Sequence, residues 1–427
     1  MSTVEALVAK LCPEGVEFKA LGEIATYTRG ISYKKNDEQV DGSISVLRSN
    51  NITLERNQLN FDNVKKLNSS VHVRSDQWLQ NSDILISAAS GSKAHVGKVA
   101  YIDKQNGYSF GAFMAVVRVE KNQQSSMISK FLFHLLSSRS FEDHLKRSLK
   151  STTINNLNAG IMKKFRIPVP PLDVQCAIVE ILDRYSELVY KLEIELNAQI
   201  IARRKQYEYC RNELLNFSSE SSKIRDSLGI VLNEKVEFKA LGEIAIRNKG
   251  TKITATKMKE LHTEGGAVRI FAGGKTTADV DESVLLERDI TRSPGIIVKS
   301  RGYVGFEYYD RPFSHKNEFW SYSVNSETIN LKFIYYFLDT LTESLQRIAK
   351  ATSVKIPQLC IGDTDQIRIP VPPLEVQNAI VEILDRYSVL VSKLEIELKD
   401  EIISRRQQYE YCRNLLLSFP ERERMES

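Results

Sequence analysis

Basic, amide and hydroxyl side chains recur beside glycines at corresponding places along this 427-residue chain. Ser90, Ser92, Lys93, His95 and Lys98 lie in or beside the segment bounded by Gly91 and Gly97, while Lys299, Ser300, Arg301 and Tyr303 surround Gly302. Gly91 aligns with Gly302 and Gly97 with Gly305, the loop between them differing in length. Glycine lets a backbone turn tightly and approach another surface closely. The side chains around it suit hydrogen bonds to phosphates and base edges. A second cluster, Arg29, Tyr33, Lys34 and Lys35, is answered by Arg247, Lys249 and Lys252. A third pairs Arg48, Ser49, Asn50 and Asn51 with Gly273, Gly274, Lys275 and Thr276. Any single residue of the glycine-bounded loop also reads as part of a solvated hairpin tip. Polar residues at the same three places in both halves point to a polyanionic ligand.

The sequence carries no catalytic constellation. A GxSxG elbow and an HExxH pair are both missing. The stretch from Gly91 to Lys98 resembles a phosphate loop, but its spacing is one residue too long and Val99 stands where Ser or Thr should bind magnesium. Glu17, Phe18 and Lys19 look like part of a nuclease carboxylate–lysine pair, yet no upstream aspartate supports it and a charged strand or turn fits better. No Asn/Asp-Pro-Pro-aromatic tetrapeptide occurs, so base methylation by this chain is not expected. Metal binding is not expected either, since no two Cys or His residues sit at ligand spacing. Cys12, Cys176, Cys210, Cys360 and Cys412 are scattered and odd in number, which reads as reduced thiols in a cytoplasmic protein. The N-terminus lacks a signal-peptide pattern, and no run of eighteen apolar residues could span a membrane. The net charge of +5 permits an anionic partner without demanding one, so any footprint must be local.

The elements that must position these clusters are written twice. VEFKALGEIA begins at Val16 and recurs unchanged at Val236. A longer block begins RIPVPPLDVQCAIVEILDRY at Arg166 and RIPVPPLEVQNAIVEILDRY at Arg368, and runs to Phe217 and Phe419 with roughly four in five positions identical. Between these blocks, residues 26–165 and 246–367 show little identity. A scaffold kept alike around inserts that differ suggests a shared architecture binding two different things.

Past the prolines, Ile178, Ile181, Leu182, Tyr185, Leu188, Val189, Leu192 and Leu196 recur at three and four, as do Ile380, Ile383, Leu384, Tyr387, Leu390, Val391, Leu394 and Leu398. The spacing predicts helices over residues 172–216 and 374–418, each about 65 Å long if continuous. Such helices need a partner, and two near-identical stripes predict an intramolecular antiparallel coiled coil. In the inserts, residues 83–87, 113–119, 295–298 and 319–324 read as strands, and residues 128–137 and 331–341 as helices. Val4, Val8 and Leu11 line up with Ile224, Leu228 and Val231, suggesting that the N-terminal stub is repeated too. The expected fold is α+β: two mixed α/β recognition domains (residues 1–165 and 236–367), two spacer helices (166–217 and 368–427, the latter with a tail), and a linker over 218–235, related by an internal pseudo-two-fold.

LGEIATYTRGISY, VLRSNNI, DILISAASGS, FGAFM and IPVPPLDVQCAIVEILDRY with its copy at Ile369, in this order, resemble the specificity subunit of type I restriction–modification systems over nearly the whole chain. The resemblance implies a non-catalytic protein whose two target recognition domains each read half of a split sequence in double-stranded DNA. It implies that the helices set the spacing and dock two methyltransferase subunits, and that restriction/translocase subunits complete the enzyme. S-adenosylmethionine, ATP and Mg2+ then belong to the partners. The second half departs from the first at Arg48, where Ala272 stands. The competing reading is a coiled-coil scaffold carrying two domains for ligands other than DNA.

Overall fold

The computed structural model describes residues 3–53, 57–90, 95–104, 107–149, 156–218, 222–232, 235–274, 276–352 and 356–422. It is a mixed α/β protein in two compact units, residues 1–196 with 399–427, and residues 197–398.

In each unit the repeated blocks meet. Phe18–Ala20 pairs antiparallel with Arg166–Pro168, and Glu237–Ala240 with Arg368–Val371. The register is the same in both, Phe18 opposite Pro168 and Phe238 opposite Pro370. Proline cannot donate to a ladder, and these are isolated two-stranded ribbons in which it is tolerated. Each ribbon therefore clamps the two ends of an insert. Glu17, Phe18 and Lys19 belong to this clamp: Phe18–Ala20 is strand, and Glu17 pairs with Lys19 at 3.5 Å.

The first insert folds into a four-stranded antiparallel sheet in the order Ala25–Arg29, Met114–Val119, Ile84–Ser87, Val99–Tyr101. A three-stranded sheet, Lys65–Leu67, Ile44–Leu47, Tyr108–Phe110, lies beside it and contains one parallel pair. The second insert repeats this: Ile246–Asn248, Trp320–Ser323, Gly295–Lys299, Gly305–Tyr309, with Thr277–Val280, Val268–Phe271, Phe313–His315. Ile84–Ser87 and Gly295–Lys299 are buried along their whole length. That is why they read as continuous apolar runs rather than alternating ones. Ile84 and Ile86 face the core that holds helix Ser129–Leu136, while Leu85 faces a second core with Leu47 and Phe110.

Two long helices, Leu172–Leu215 and Leu374–Leu416, follow the proline pairs. Each is pinned to its insert by a buried glutamine. Gln175 Oε1 accepts from Ile128 N at 2.9 Å, and its Nε2 donates to the Ser126 and Pro170 carbonyls, both at 2.7 Å. Gln377 does the same with Asn330 N, Thr328 O and Pro372 O at 2.9, 3.0 and 2.7 Å.

Each unit contains one stretch of both long helices, running antiparallel. In the first, Tyr185 meets Tyr409 edge-on at 5.6 Å between ring centroids, and Glu193, only 3% exposed, takes Arg406 Nε at 2.5 Å. In the second, Tyr207 meets Tyr387 at 5.5 Å, and Arg204 Nη2 donates to Glu395 at 2.7 Å. The buried seam is narrower than the sequence stripe. Ile178 and Leu182 are buried in the globular core of the first unit and Val189 and Leu196 further along the helix, but Ile181, Leu188 and Leu390 are 38%, 57% and 64% exposed. A two-helix seam needs apolar residues every three or four positions, less than a helix lying on a globular core.

The terminal segment Thr3–Leu11 is helical, and Val4 is buried in the first unit's core. Its expected copy shortens to Lys223–Ser227, leaving Leu228 and Val231 49% and 66% exposed. In the first unit Val16 N bonds the Pro420 carbonyl at 2.9 Å and Val16 O receives Arg422 N at 3.0 Å. No helix among the described residues is long and apolar enough to cross a membrane.

Candidate nucleic-acid interface

Backbone bonds from one tight turn, residues 111–113, tie together segments that lead into the polar clusters of the first insert. Gly111 N bonds the Leu47 carbonyl at 2.9 Å, fixing the strand that leads into Arg48. Ile31 N bonds Phe110 O at 2.8 Å and Gly30 N bonds Met114 O at 3.1 Å, fixing the segment between Arg29 and Tyr33. Ala88 N and Ala89 N both bond Phe113 O, at 2.8 and 3.0 Å, fixing the approach to Ser90. The crossing is so close that a Cβ on Gly30 would lie 2.2 Å from Phe110 O, so only glycine fits.

These bonded segments form a ring around the turn, and two of its bonds recur in the second unit. Lys316 N bonds Phe271 O at 2.9 Å and Thr251 N bonds His315 O at 2.8 Å. A Cβ on Gly250 would lie 2.2 Å from His315 O. Leu359 N bonds Ser300 O at 2.9 Å, as Leu157 N bonds Ala88 O at 2.7 Å in the first unit.

The predicted site residues divide around these rings. Arg29 donates to Asn156 Oδ1 at 2.6 Å. Tyr33 is partly buried beside the turn, and burial outweighs the nearby Arg48 charge to raise its pKa. Arg48 Nη2 reaches Asn63 O at 3.3 Å, and its backbone N bonds the side chain of buried Asn51, leaving Asn50 exposed. Lys34 is exposed and its backbone N bonds Asp37. Ser90 and His95 are partly buried. Ser92, Lys93 and Lys275 lie outside the described residues. Lys249 and Lys252 are exposed, Lys249 standing where Arg29 stands in the first unit. Arg247 corresponds instead to Tyr27 and is tied to Asp365 at 2.5 Å. Thr276 is exposed and its carbonyl accepts from Ala272 N at 3.0 Å. Arg301 and Tyr303 are exposed, Tyr303 to 70%.

Two readings need correction. Lys299 is not at a loop tip. It is 6% exposed in the central strand, with its ammonium 3.2 Å from Glu307 and 4.7 Å from the Phe271 ring centroid. The glycine alignment is also one residue out. Ile84 opposes Tyr101 as Ile296 opposes Tyr308, which places Gly97 opposite Val304 and Lys98 opposite Gly305 in the comparison. Gly97, at φ 87°, serves helix packing: a Cβ there would meet Leu145 Cδ1 at 2.2 Å. Lys98 consequently lines a groove of about 1460 Å³ with Val96, Tyr101, Lys130 and Tyr190.

Phe113, Asn156, Lys316 and Asn317 join the candidates through the structure alone, since sequence reasoning did not single them out. Phe113 lies inside FGAFM and carried a signal; Asn156, 127 residues from Arg29, carried none locally. Among the described residues, no group of three or more His, Cys, Asp or Glu side chains is placed to hold a metal ion.

The family model described as type I restriction modification DNA specificity domain matches this chain twice, over residues 13–202 and 233–403. The specificity subunit of the type I restriction enzyme EcoR124I/EcoR124II from Escherichia coli is 30% identical over 280 residues, 61% of this chain and 64% of that protein, so the match spans less than two thirds of that relative. A putative type I specificity subunit of Haemophilus influenzae, S.HindORF215P, is 27% identical over 318 residues, 70% of this chain and 74% of that one. A solved chain from work on complex assembly and conformational transition of the type I R-M system superimposes with a TM-score of 0.71 at 17% identity, covering 95% of this chain and 98% of its own.

Proposed function

Because the chain belongs to the type I restriction modification DNA specificity domain family, we propose that it is the non-catalytic specificity subunit of a cytoplasmic type I enzyme, each unit reading half of a split double-stranded DNA target. The observation that carries this reading is the ring built twice on one backbone plan: Gly30, Gly111 and Leu47 in one unit, Gly250, Lys316 and Phe271 in the other, with different side chains around each. A shared frame with different surfaces suits two recognition tasks of one kind. Exposed Lys34, Lys249, Lys252 and Arg301 supply charge for phosphates, which position a protein on DNA; residues nearer the ring supply base contacts.

The helices Leu172–Leu215 and Leu374–Leu416 set the spacing between half-sites and dock two methyltransferase subunits. Their charged surfaces and exposed Ile181, Leu188 and Leu390 suit that contact. Restriction/translocase subunits complete the complex, and S-adenosylmethionine, ATP and Mg2+ act in the partners. The test is to purify the chain with its methyltransferase partner and map modified adenines in DNA. A split motif with a fixed spacer supports the proposal; a single uninterrupted motif, or modification independent of this chain, refutes it.

A further inference from the structure

We infer that the turn over residues 111–113 in the first unit, and its counterpart over residues 316–318 in the second, is where each unit discriminates bases. Phe113 makes the apolar contact to a base edge of one half-site, and Lys316 and Asn317 make hydrogen-bonding contacts in the other. The inference rests on the DNA reading proposed above.

The two turns share a backbone and nothing else. Gly111 N and Lys316 N each bond a carbonyl of the neighbouring strand at 2.9 Å, and the turn closes by Met114 N to Gly111 O at 2.7 Å and Phe319 N to Lys316 O at 2.9 Å. The corresponding residues are Gly-Ala-Phe and Lys-Asn-Glu. Phe113 is 69% exposed, although its carbonyl is held by two backbone donors. In the second unit, Lys316 Nζ and Glu318 Oε1 form an ion pair at 2.6 Å and Asn317 is exposed.

A rigid exposed aromatic ring offers contact area at little ordering cost. Phosphate oxygens have nothing to gain from a phenyl ring, whereas the 5-methyl group of thymine does. Arg29 ends, and Arg48 follows, strands whose backbones are tied to the same turn. Lysine and asparagine in the matching place favour guanine and adenine edges. Around a scaffold whose helices are near-identical, the element that keeps its backbone and reverses its chemistry carries the difference between the units.

The test uses the full chain in complex with its methyltransferase partner and duplexes altered in one half-site at a time. Phe113→Ala should weaken binding to the intact first half-site at least about tenfold, the scale of one lost base contact. The salt slope should not change, because no phosphate contact is lost. Discrimination at the second half-site should stay intact. Replacing thymine by uracil in the first half-site should reproduce the loss in wild type and add nothing in Phe113→Ala. The converse change, Lys316→Ala with Asn317→Ala, should relax only the second half-site, and keeps the idea testable if the first variant folds poorly. Unchanged first-half-site affinity in folded Phe113→Ala, or a loss shared by unrelated DNA, overturns the inference alone. A wild-type complex showing no split target overturns the proposed function and this inference together.

Discussion

His134 Nε2 lies 3.1 Å from the Asp183 carboxylate, in the place where the second unit has Tyr336 bonded to Asp385. Burial holds the His134 pKa below its ordinary value, with the Arg413 and Lys130 charges pressing the same way, against the hydrogen bond and charge of Asp183. The unfolded chain therefore takes up this proton first as pH falls. Its contribution to stability is complete above about pH 6.5 and declines below it. Asp183, whose pKa is lowered because its hydrogen bonds to His134 and Lys130 outweigh burial, adds a loss only at more acid pH. We expect His134→Tyr to flatten the acid-side decline of the first unit between about pH 6.5 and 5, by at most about 1.4 kcal/mol per pH unit. Denaturant unfolding at several pH values, read by hydrogen exchange in each unit, checks this; parallel slopes for variant and parent refute it.

Gln175 and Gln377 should be among the most sensitive positions outside the apolar core. Gln175→Ala removes a side chain with three hydrogen bonds and strands Ile128 N and two carbonyls in a buried place. The loss should be about 3 kcal/mol, and Gln377→Ala should cost a similar amount. Equilibrium unfolding of the two variants decides the matter: a cost under about 1 kcal/mol means water replaces the amide.

Gly30→Ala and Gly250→Ala should each disable the half-site of their own unit, since the added methyl meets a carbonyl at 2.2 Å in both. Gly273→Ala serves as control, because the nearest atom to its Cβ is Phe319 Cζ at 3.9 Å. Competition binding with duplexes altered in one half-site measures this; loss of both half-sites from one substitution contradicts independent units.

Lys299 and Arg301 stand two residues apart and should behave differently. Lys299→Ala removes a buried cation beside Glu307, so it should lower stability and leave the salt slope alone. Arg301→Ala should leave stability intact, weaken binding at every sequence, and reduce the salt slope by about 1. Titrations at several salt concentrations distinguish the two, and a flattened slope for folded Lys299→Ala means that its ion pair opens on DNA.

Duplicating residues 192–195 adds about 6 Å to a helix and turns the remainder of that helix by roughly 40°. One base pair advances ~3.4 Å and turns about 35°. The spacer between half-sites should grow by about one base pair with both half-sites unchanged. Mapped adenines showing the original spacer at full activity mean the helices are not the ruler.

The parts of this fold governed by local pattern were legible in the sequence. Leu172–Leu215 and Leu374–Leu416 announce themselves by apolar spacing and preceding prolines, and Ile84–Ser87 by an unbroken apolar run. What depends on distant partners was not. Lys299 reads as a surface cation until Glu307 and Phe271 close over it. Gly97 reads as a loop hinge until Leu145 presses on it from a helix whose existence the pattern left unmarked. The backbone rings around residues 111–113 and 316–318 were visible only as scattered polar clusters, because the contacts that unite them run between backbones far apart in the chain.

The first unit draws on residues 1–196 and 399–427, whereas the second is the uninterrupted stretch 197–398. On a ribosome that adds about 5–20 residues per second, the opening stretch of the first unit waits about 10–40 seconds for Tyr409 and Leu417, which complete its core. The recognition unit that comes second in the sequence is thus the first able to finish folding. Closure of Val16 against the Pro420 carbonyl waits for the whole of the second unit to be made.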